Sequence, residues 1–354
     1  MPKLYKKVSK KIGLPPGTLI HVGEKRTKKT IITAFDYDET FLDEPNVKSI
    51  KDCFAYRDKP SRTWINIDGV EQVEIIEQID AHFGIHPLVQ EDIVNTEQRA
   101  KMEDYGAYLY IVVKMLYYDS RHHGLKAEQV SLLIGHNYVI TFQEHRGDVF
   151  ETIRDRLRAN KGRIRKMGTD YLAYALLDAI VDHYYLVLER YGNLIEDMEE
   201  ELITDVSREM NQEIHLLKRD VIYLRRQICP IKDVIHGLLH TDSMLIKEST
   251  GVFLKDVFDH AVQVIDTIES FGEVITGLND IYLSNINNKT NESMKVLVFF
   301  VAVFMPATFF TCLFGMNFNH MPMSHWRLGF YVMLGALLLV LTGILVYFKK
   351  KKWL

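Results

Sequence analysis

The architecture is decided by the stretch VLVFFVAVFMPATFFTCLF (296–314), the link GMNFNHMPMSHWR (315–327), the second apolar run LGFYVMLGALLLVLTGILVYF (328–348) and the lysines 349–352. Neither apolar run carries a charge. A hydrocarbon layer roughly 30 Å thick is crossed by about twenty helical residues rising about 1.5 Å each, so either run is long enough for one crossing. The pair reads as a membrane hairpin. The lysines orient it, because short basic flanks stay on the cytoplasmic side, while the link offers only Arg327 and two histidines. Both termini are therefore expected in the cytoplasm. The polar start MPKLYKKVSKK (1–11) is followed by no apolar segment of a secretory signal, so the residues before the hairpin are expected on the same side.

The chain has 354 residues, 47% of them apolar, and a formal net charge of −4. That is enough for one α/β domain plus long helices. Bases gather at 1–11, 154–166 and 349–352, and acids in EDMEEELITD (196–205), which reads as a solvated helix tip. No single basic face dominates, so no nucleic-acid partner is expected. Cys53, Cys229 and Cys312 are far apart and odd in number, which speaks against a disulfide framework or a CxxC site.

Between about 30 and 145 the segments TIITAFDYD, RTWINI, YLYIVVKMLYY, EQVSLLI and YVITFQE read as strands, with IGHNY as a hairpin turn. VEQVEIIEQIDAHFG and PLVQEDIVN read as helices, the first ended by Gly84 and the second begun at Pro87. After DVFETIRDRLRAN (148–160) the strand signals vanish. Helices are expected over about 169–203 and 207–241, forming an antiparallel pair, and a third from about 251 to the end of the first span. That third helix would be a rod of roughly 100 Å. Pro230 and Pro306 are each expected to bend a helix without ending it.

The fold class is thus an α+β cytoplasmic domain of mixed α/β character, with long helices and a two-span α-helical hairpin. Its expected divisions are a domain at 1–165, a helical pair at 166–250, a stalk at 251–314 that enters the membrane near 294, an outer loop at 315–327, a second span at 328–348 and a basic tail at 349–354.

Asn291, Met294, Val298, Val301, Met305, Thr308 and Cys312 recur at steps of three and four along the third helix and share one stripe, which ends at Gly315-Met316-Asn317. Met and Val stripes are more often packing faces than conduits. One hairpin cannot enclose a channel, so conduction requires several copies around an axis. In that arrangement Asn291, Thr308 and Asn317 become rings of neutral oxygens, separated by apolar collars that gate by excluding water. Such rings suit Mg²⁺, which holds its waters tightly and is best bound hydrated.

Gly315-Met316-Asn317 between two spans, with KTNESMKVL (289–297) and FMP (304–306) before it and KKKKWL (349–354) at the end, resembles the CorA family of magnesium and cobalt transporters. The soluble half carries LPPGTL (14–19), TWIN (63–66), FGIHPLVQEDI (83–93), EQVSLL (128–133) and FQE (142–144), which look like family segments too. The resemblance implies a homopentameric funnel in the cell membrane, with the first span lining the pore and Gly315, Met316 and Asn317 forming the selectivity filter. It matches Asn291, Met294, Leu297, Met305 and Thr308 to pore positions. Leu297 adjoins the stripe at Val298, and helix rotation decides between them.

Two departures stand out. Phe314 replaces a tyrosine usual in the family, and the link contains no carboxylate where an acid is usual after Met-Pro. Glu91, Asp92, Asp178, Asp256 and His260 match positions at which the family binds regulatory divalent cations between subunits. Asp256 and His260, four residues apart, share a helix face independently of that match. The implied function is influx of Mg²⁺, and of Co²⁺ or Ni²⁺, down the membrane potential, shut off when cytoplasmic Mg²⁺ bridges Asp92 of one subunit to Asp256 of the next.

The alternatives are a zinc transporter of the same architecture and a non-transporting membrane scaffold. An enzyme is not expected, since the chain has no GxxxxGK loop, HExxH or nucleophile elbow.

Overall fold

The computed structural model describes residues 13, 15, 18–20, 27, 29–119, 124–204, 207, 209–316 and 326–351. They fall into two compact units, Met1–Glu200 with Glu209–Thr276, and Glu201–Arg208 with Gly277–Leu354.

The first unit is built on a seven-stranded mixed sheet. Its strands are β1 (Ile31–Tyr37), β2 (Leu42–Asp43), β3 (Arg62–Asp68), β4 (Lys101–Asp104), β5 (Leu109–Asp119), β6 (Gly124–Ile134) and β7 (Tyr138–Gln143), in the order β2-β1-β3-β7-β6-β5-β4. Only β3 and β7 pair in parallel. The five expected strands are all present. β2 and β4 were not expected, and both are edges: two residues in one case and the polar KMED in the other. Short charged edges suppress unwanted pairing and thereby erase the apolar alternation that would reveal them. The expected hairpin turn joins β6 to β7, where Tyr138 folds so closely over Gly135 that a Cβ there would lie 2.4 Å from its ring. Only glycine fits.

Helices α1 (Val73–Phe83) and α2 (Pro87–Val94) follow β3. Gly84 caps α1 at φ 71°, a left-handed conformation that glycine adopts without strain, and His86 caps α2 by accepting the Leu88 N–H at 3.2 Å. A nine-residue 3₁₀ helix, Ile50–Asp58, lies between β2 and β3, and α3 covers Glu151–Arg158.

The chain then becomes helical: α4 (Thr169–Thr204), α5 (Glu209–Ile228), α6 (Pro230–Leu239), α7 (Glu248–Phe314) and α8 (Gly329–Lys350). The expected single helix over 207–241 is divided. Pro230 has no N–H to donate and so stands at the first position of a new helix, which corrects the expectation of a bend. Pro306 does lie inside α7, and the helix continues through it. At 67 residues α7 is one element of roughly 100 Å.

Two ties fix α4 to the sheet and its β6–β7 turn, and a third fixes the start of α7 to α4. The Thr169 hydroxyl donates to the Gly135 carbonyl at 2.8 Å, the Tyr184 hydroxyl donates to the carbonyl of Lys114 on β5, and Asp170 accepts from Thr250 Oγ1 at 2.5 Å and from the Lys247 N–H at 3.1 Å. Leu254, Val257, Ala261, Val264 and Ile268, at steps of three and four along α7, are all buried. That spacing is a core-facing stripe.

Candidate functional site

Two regions hold the candidate residues, one in each unit. In the first unit Tyr171 and Tyr174 of α4 pack on Phe253 of α7 at centroid distances of 5.2 and 5.3 Å. Two to three turns further along, the Tyr185 hydroxyl shares its hydrogen between Gln263 Oε1 at 3.0 Å and the His260 carbonyl at 3.3 Å. Between these contacts, ligand atoms of Asp178, Asp182 and His260 lie within 4.8 Å of one another. Among the described residues this is the one such group of three.

Burial, reinforced by the charge of Asp182, pushes the Asp178 carboxyl up to about 6, against the pull of His260 and with a smaller push from Asp256. Two ionised carboxylates at this separation repel by about 1–3 kcal/mol, depending on whether the effective dielectric resembles water or a protein surface. His260 Nδ1 is buried without a hydrogen-bond partner. A repelling carboxylate pair beside an unsatisfied imidazole nitrogen is a donor set that fits a divalent cation, with oxygen for Mg²⁺ and added nitrogen for Co²⁺ or Ni²⁺.

Asp256 is exposed one turn before His260 and stands outside the group of three. Glu91 and Asp92 sit on α2, also outside it. Asp92 Oδ2 accepts from Lys101 Nζ at 2.6 Å, and the Asp92 carbonyl accepts from Gln129 Nε2 at 2.8 Å. Lys101 also reaches Glu103 at 2.7 Å. Asp92 is therefore compensated by a cation of its own chain. Asp182 was missed, although LLDAIVD (176–182) spaces it four residues from Asp178, on the same face of α4.

In the second unit α8 packs on α7 through Phe348 and Phe299, whose rings meet edge to face at 5.4 Å. Phe299 lies about 140° around the helix from Met294, at about 100° per residue. The stripe is thus on the face of α7 turned away from α8. Met294, Leu297, Val298, Val301 and Met305 are 56%, 64%, 43%, 53% and 70% exposed within the chain. Asn291 and Thr308 are exposed on the same side, and the Thr308 hydroxyl donates to the Phe304 carbonyl at 2.8 Å, keeping oxygen lone pairs outward. Leu297 and Val298 flank the stripe's midline from opposite sides, so rotation excludes neither. Gly315 and Met316 follow the helix, the Gly315 N–H closing its last turn on Thr311 O at 2.9 Å. Asn317, the link through His325 and Lys352 lie outside the described residues.

The CorA-like Mg²⁺ transporter family model matches residues 61–350. The cobalt/magnesium transport protein CorA of Thermotoga maritima is 42% identical over 349 residues, covering 99% of both chains. The complete structure of the CorA magnesium transporter from Methanocaldococcus jannaschii superposes with a TM-score of 0.78 at 20% identity, covering 92% of this chain and 99% of that one. The zinc transport protein ZntB of Cronobacter sakazakii is 26% identical over 177 residues, 50% of this chain and 54% of its own.

Proposed function

The chain belongs to the CorA-like Mg²⁺ transporter family, and on that premise we propose that it assembles as a homopentamer that admits Mg²⁺ and Co²⁺, with Ni²⁺ as a further substrate, through a pore lined by α7. The observation that carries this reading is the uncovered stripe of α7. Its own hairpin partner packs elsewhere, and the stripe sets a run of apolar residues between the neutral polar Asn291 and Thr308. Copies arranged around an axis cover the stripe and turn it into a lumen.

Asn291 and Thr308 supply oxygen rings there, Met294, Leu297 and Met305 supply narrow apolar collars, and Gly315, Met316 and Asn317 form the filter at the mouth. Neutral oxygens accept hydrogen bonds from the ion's waters without holding it so tightly that it cannot leave. With no carboxylate in 315–327, the mouth selects by these oxygens alone. In the membrane α7 and α8 each cross once, which puts both termini in the cytoplasm on the strength of the lysines after α8.

Regulation is assigned to the acidic sites. Asp178, Asp182 and His260 would hold a divalent cation that cancels the repulsion within the group. Asp256, with Glu91 and Asp92 of a neighbouring copy, would hold another. Because Lys101 already compensates Asp92, a bridging cation there has to displace an ammonium, which weakens that bridge relative to the site between α4 and α7. Loss of these cations when cytoplasmic Mg²⁺ falls frees the subunits to move and the collars to widen. The likeness to the cobalt/magnesium relative spans the whole chain, whereas that to the zinc relative spans half, and the ion assignment follows the former.

The test is uptake into proteoliposomes from a panel of divalent ions at controlled voltage. Mg²⁺ and Co²⁺ entry that grows with inside-negative potential is expected. No flux, or flux of Zn²⁺ alone, would overturn the reading.

A further inference from the structure

Helix α3 carries three arginines from the basic run at 154–166, and their surroundings differ. Arg154 pairs with Asp148 and Glu151, and Arg158 pairs with Glu44, Glu151 and Asp155. Arg156, half-buried between them, has no carboxylate partner among the described residues, and its Nη2 stands 3.5 Å from the hydroxyl of Tyr171 on α4. The Tyr171 ring lies 5.1 Å from that of Tyr174, whose hydroxyl reaches Asp178 Oδ2 at 3.5 Å. Two phenol rings thus separate the guanidinium from the carboxylate. Burial raises the Asp178 carboxyl and the Tyr174 hydroxyl, and the charge of Arg156 opposes the rise at both. The guanidinium is felt at Asp178 without touching it.

We propose that Arg156 is a resident competitor for the divalent cation at Asp178, Asp182 and His260, lowering the affinity of that group and so setting the Mg²⁺ concentration at which it fills and empties. The proposal rests on that group being a cation site. With the group empty, the guanidinium offsets part of the repulsion between Asp178 and Asp182. With the group filled, the guanidinium faces a dication and is repelled. Both effects favour the empty state. Arginine stays protonated in proteins, so the opposing charge is permanent. Ile153 and Leu157 are buried, which holds α3 and its guanidinium in place. Lys101 acts differently, because it contacts Asp92 and has to be displaced by an ion, whereas Arg156 acts through space and takes no ligand away. A site that responds to falling Mg²⁺ has to release its ion, and a fixed cation nearby favours release while leaving every donor in place.

The experiment is a Mg²⁺ titration of the full-length protein in detergent at low ionic strength, read by the rise in melting temperature that ion binding produces. Asp178→Asn is expected to remove the part of that rise that belongs to this group. Arg156→Gln is expected to lower the Mg²⁺ concentration for half of that rise by roughly three- to tenfold, Arg156→Glu by more, and Arg156→Lys to resemble wild type. The gains should shrink in high salt. The melting temperature without Mg²⁺ checks that each variant is folded, and the ordering by charge separates an electrostatic role from a packing one, since damaged packing does not tighten binding. A rise in Asp178→Asn equal to that of wild type would overturn the cation site itself. A rise that Asp178→Asn removes, with Arg156→Gln binding Mg²⁺ as weakly as wild type or more weakly, would overturn the role of Arg156 alone.

Discussion

Helices α4 and α7 are both long and apolar enough to cross a membrane, yet 67% of the most apolar eighteen-residue stretch of α4 is buried within the protein and none of that of α7 is. What separates them is where the apolar surface goes. Along α4, charged and polar residues such as Asp178, Asp182 and Glu189 interrupt the apolar ones, which are matched by partners on the sheet and on α7. Along the second half of α7 the apolar surface surrounds the helix, and α8 covers only one side. A core helix hides its apolar face in its own chain, whereas this one leaves its apolar face uncovered by its own chain.

The difference is tested most severely at the mouth of the proposed pore. Asn317→Ala is expected to lower selective Mg²⁺ uptake into proteoliposomes by more than about tenfold while leaving the thermal stability of the first unit unchanged. Undiminished, selective uptake would remove the filter from this residue.

Paired truncations sharpen the contrast next. Leu176 of α4 is fully buried, so Leu176→Ala is expected to cost about 2–5 kcal/mol in denaturant unfolding. Leu297 of α7 is 64% exposed, and Leu297→Ala is expected to stay within about 0.5 kcal/mol while altering flux. Similar unfolding costs would mean that the two helices are packed alike.

The third effect joins the two regions functionally. Asp256→Ala is expected to raise the cytoplasmic Mg²⁺ concentration needed for closure by roughly tenfold, with conduction retained. Currents inhibited as strongly as those of wild type would detach Asp256 from regulation.

The smallest effect concerns the first unit alone. Burial, with the charge of Glu77 adding to it, pushes the Asp80 carboxyl up to about 8, and neither of its oxygens has a hydrogen-bond partner. Its folded value lies above the unfolded value of about 3.9, so the folded state binds the extra proton. Its contribution to stability is full below about pH 4 and is lost as pH rises through about 8. Asp80→Asn is expected to flatten that dependence, because the amide has no proton to lose. A melting temperature that falls equally with pH in both proteins would contradict this.

Much of the fold was legible because its signals are local. The alternation in RTWINI and YVITFQE, Gly84 and Pro87 at helix ends, and two uncharged runs near the end of the chain each depend on residues close in sequence. What was missed depends on distant partners. β4 is polar because it is an edge, and Lys101 on it neutralises Asp92 across a turn that spacing does not reveal. The division at Pro230 was a choice between bending and restarting, which the surrounding packing decides. Asp182 was visible as the i+4 neighbour of Asp178, but an exposed acid on a helix has no distinguishing mark until His260 is placed beside both.

The central claim is that the face of α7 remote from α8 lines the conduction path. It is tested most directly by thiol modification of single cysteines in a Cys312→Ser background, with Mg²⁺ flux as the readout. Val301→Cys should be blocked by a charged methanethiosulfonate reagent in low cytoplasmic Mg²⁺, and Phe299→Cys should be insensitive. Block at Phe299→Cys with none at Val301→Cys would place the conduction path on the other side of the helix and contradict the claim.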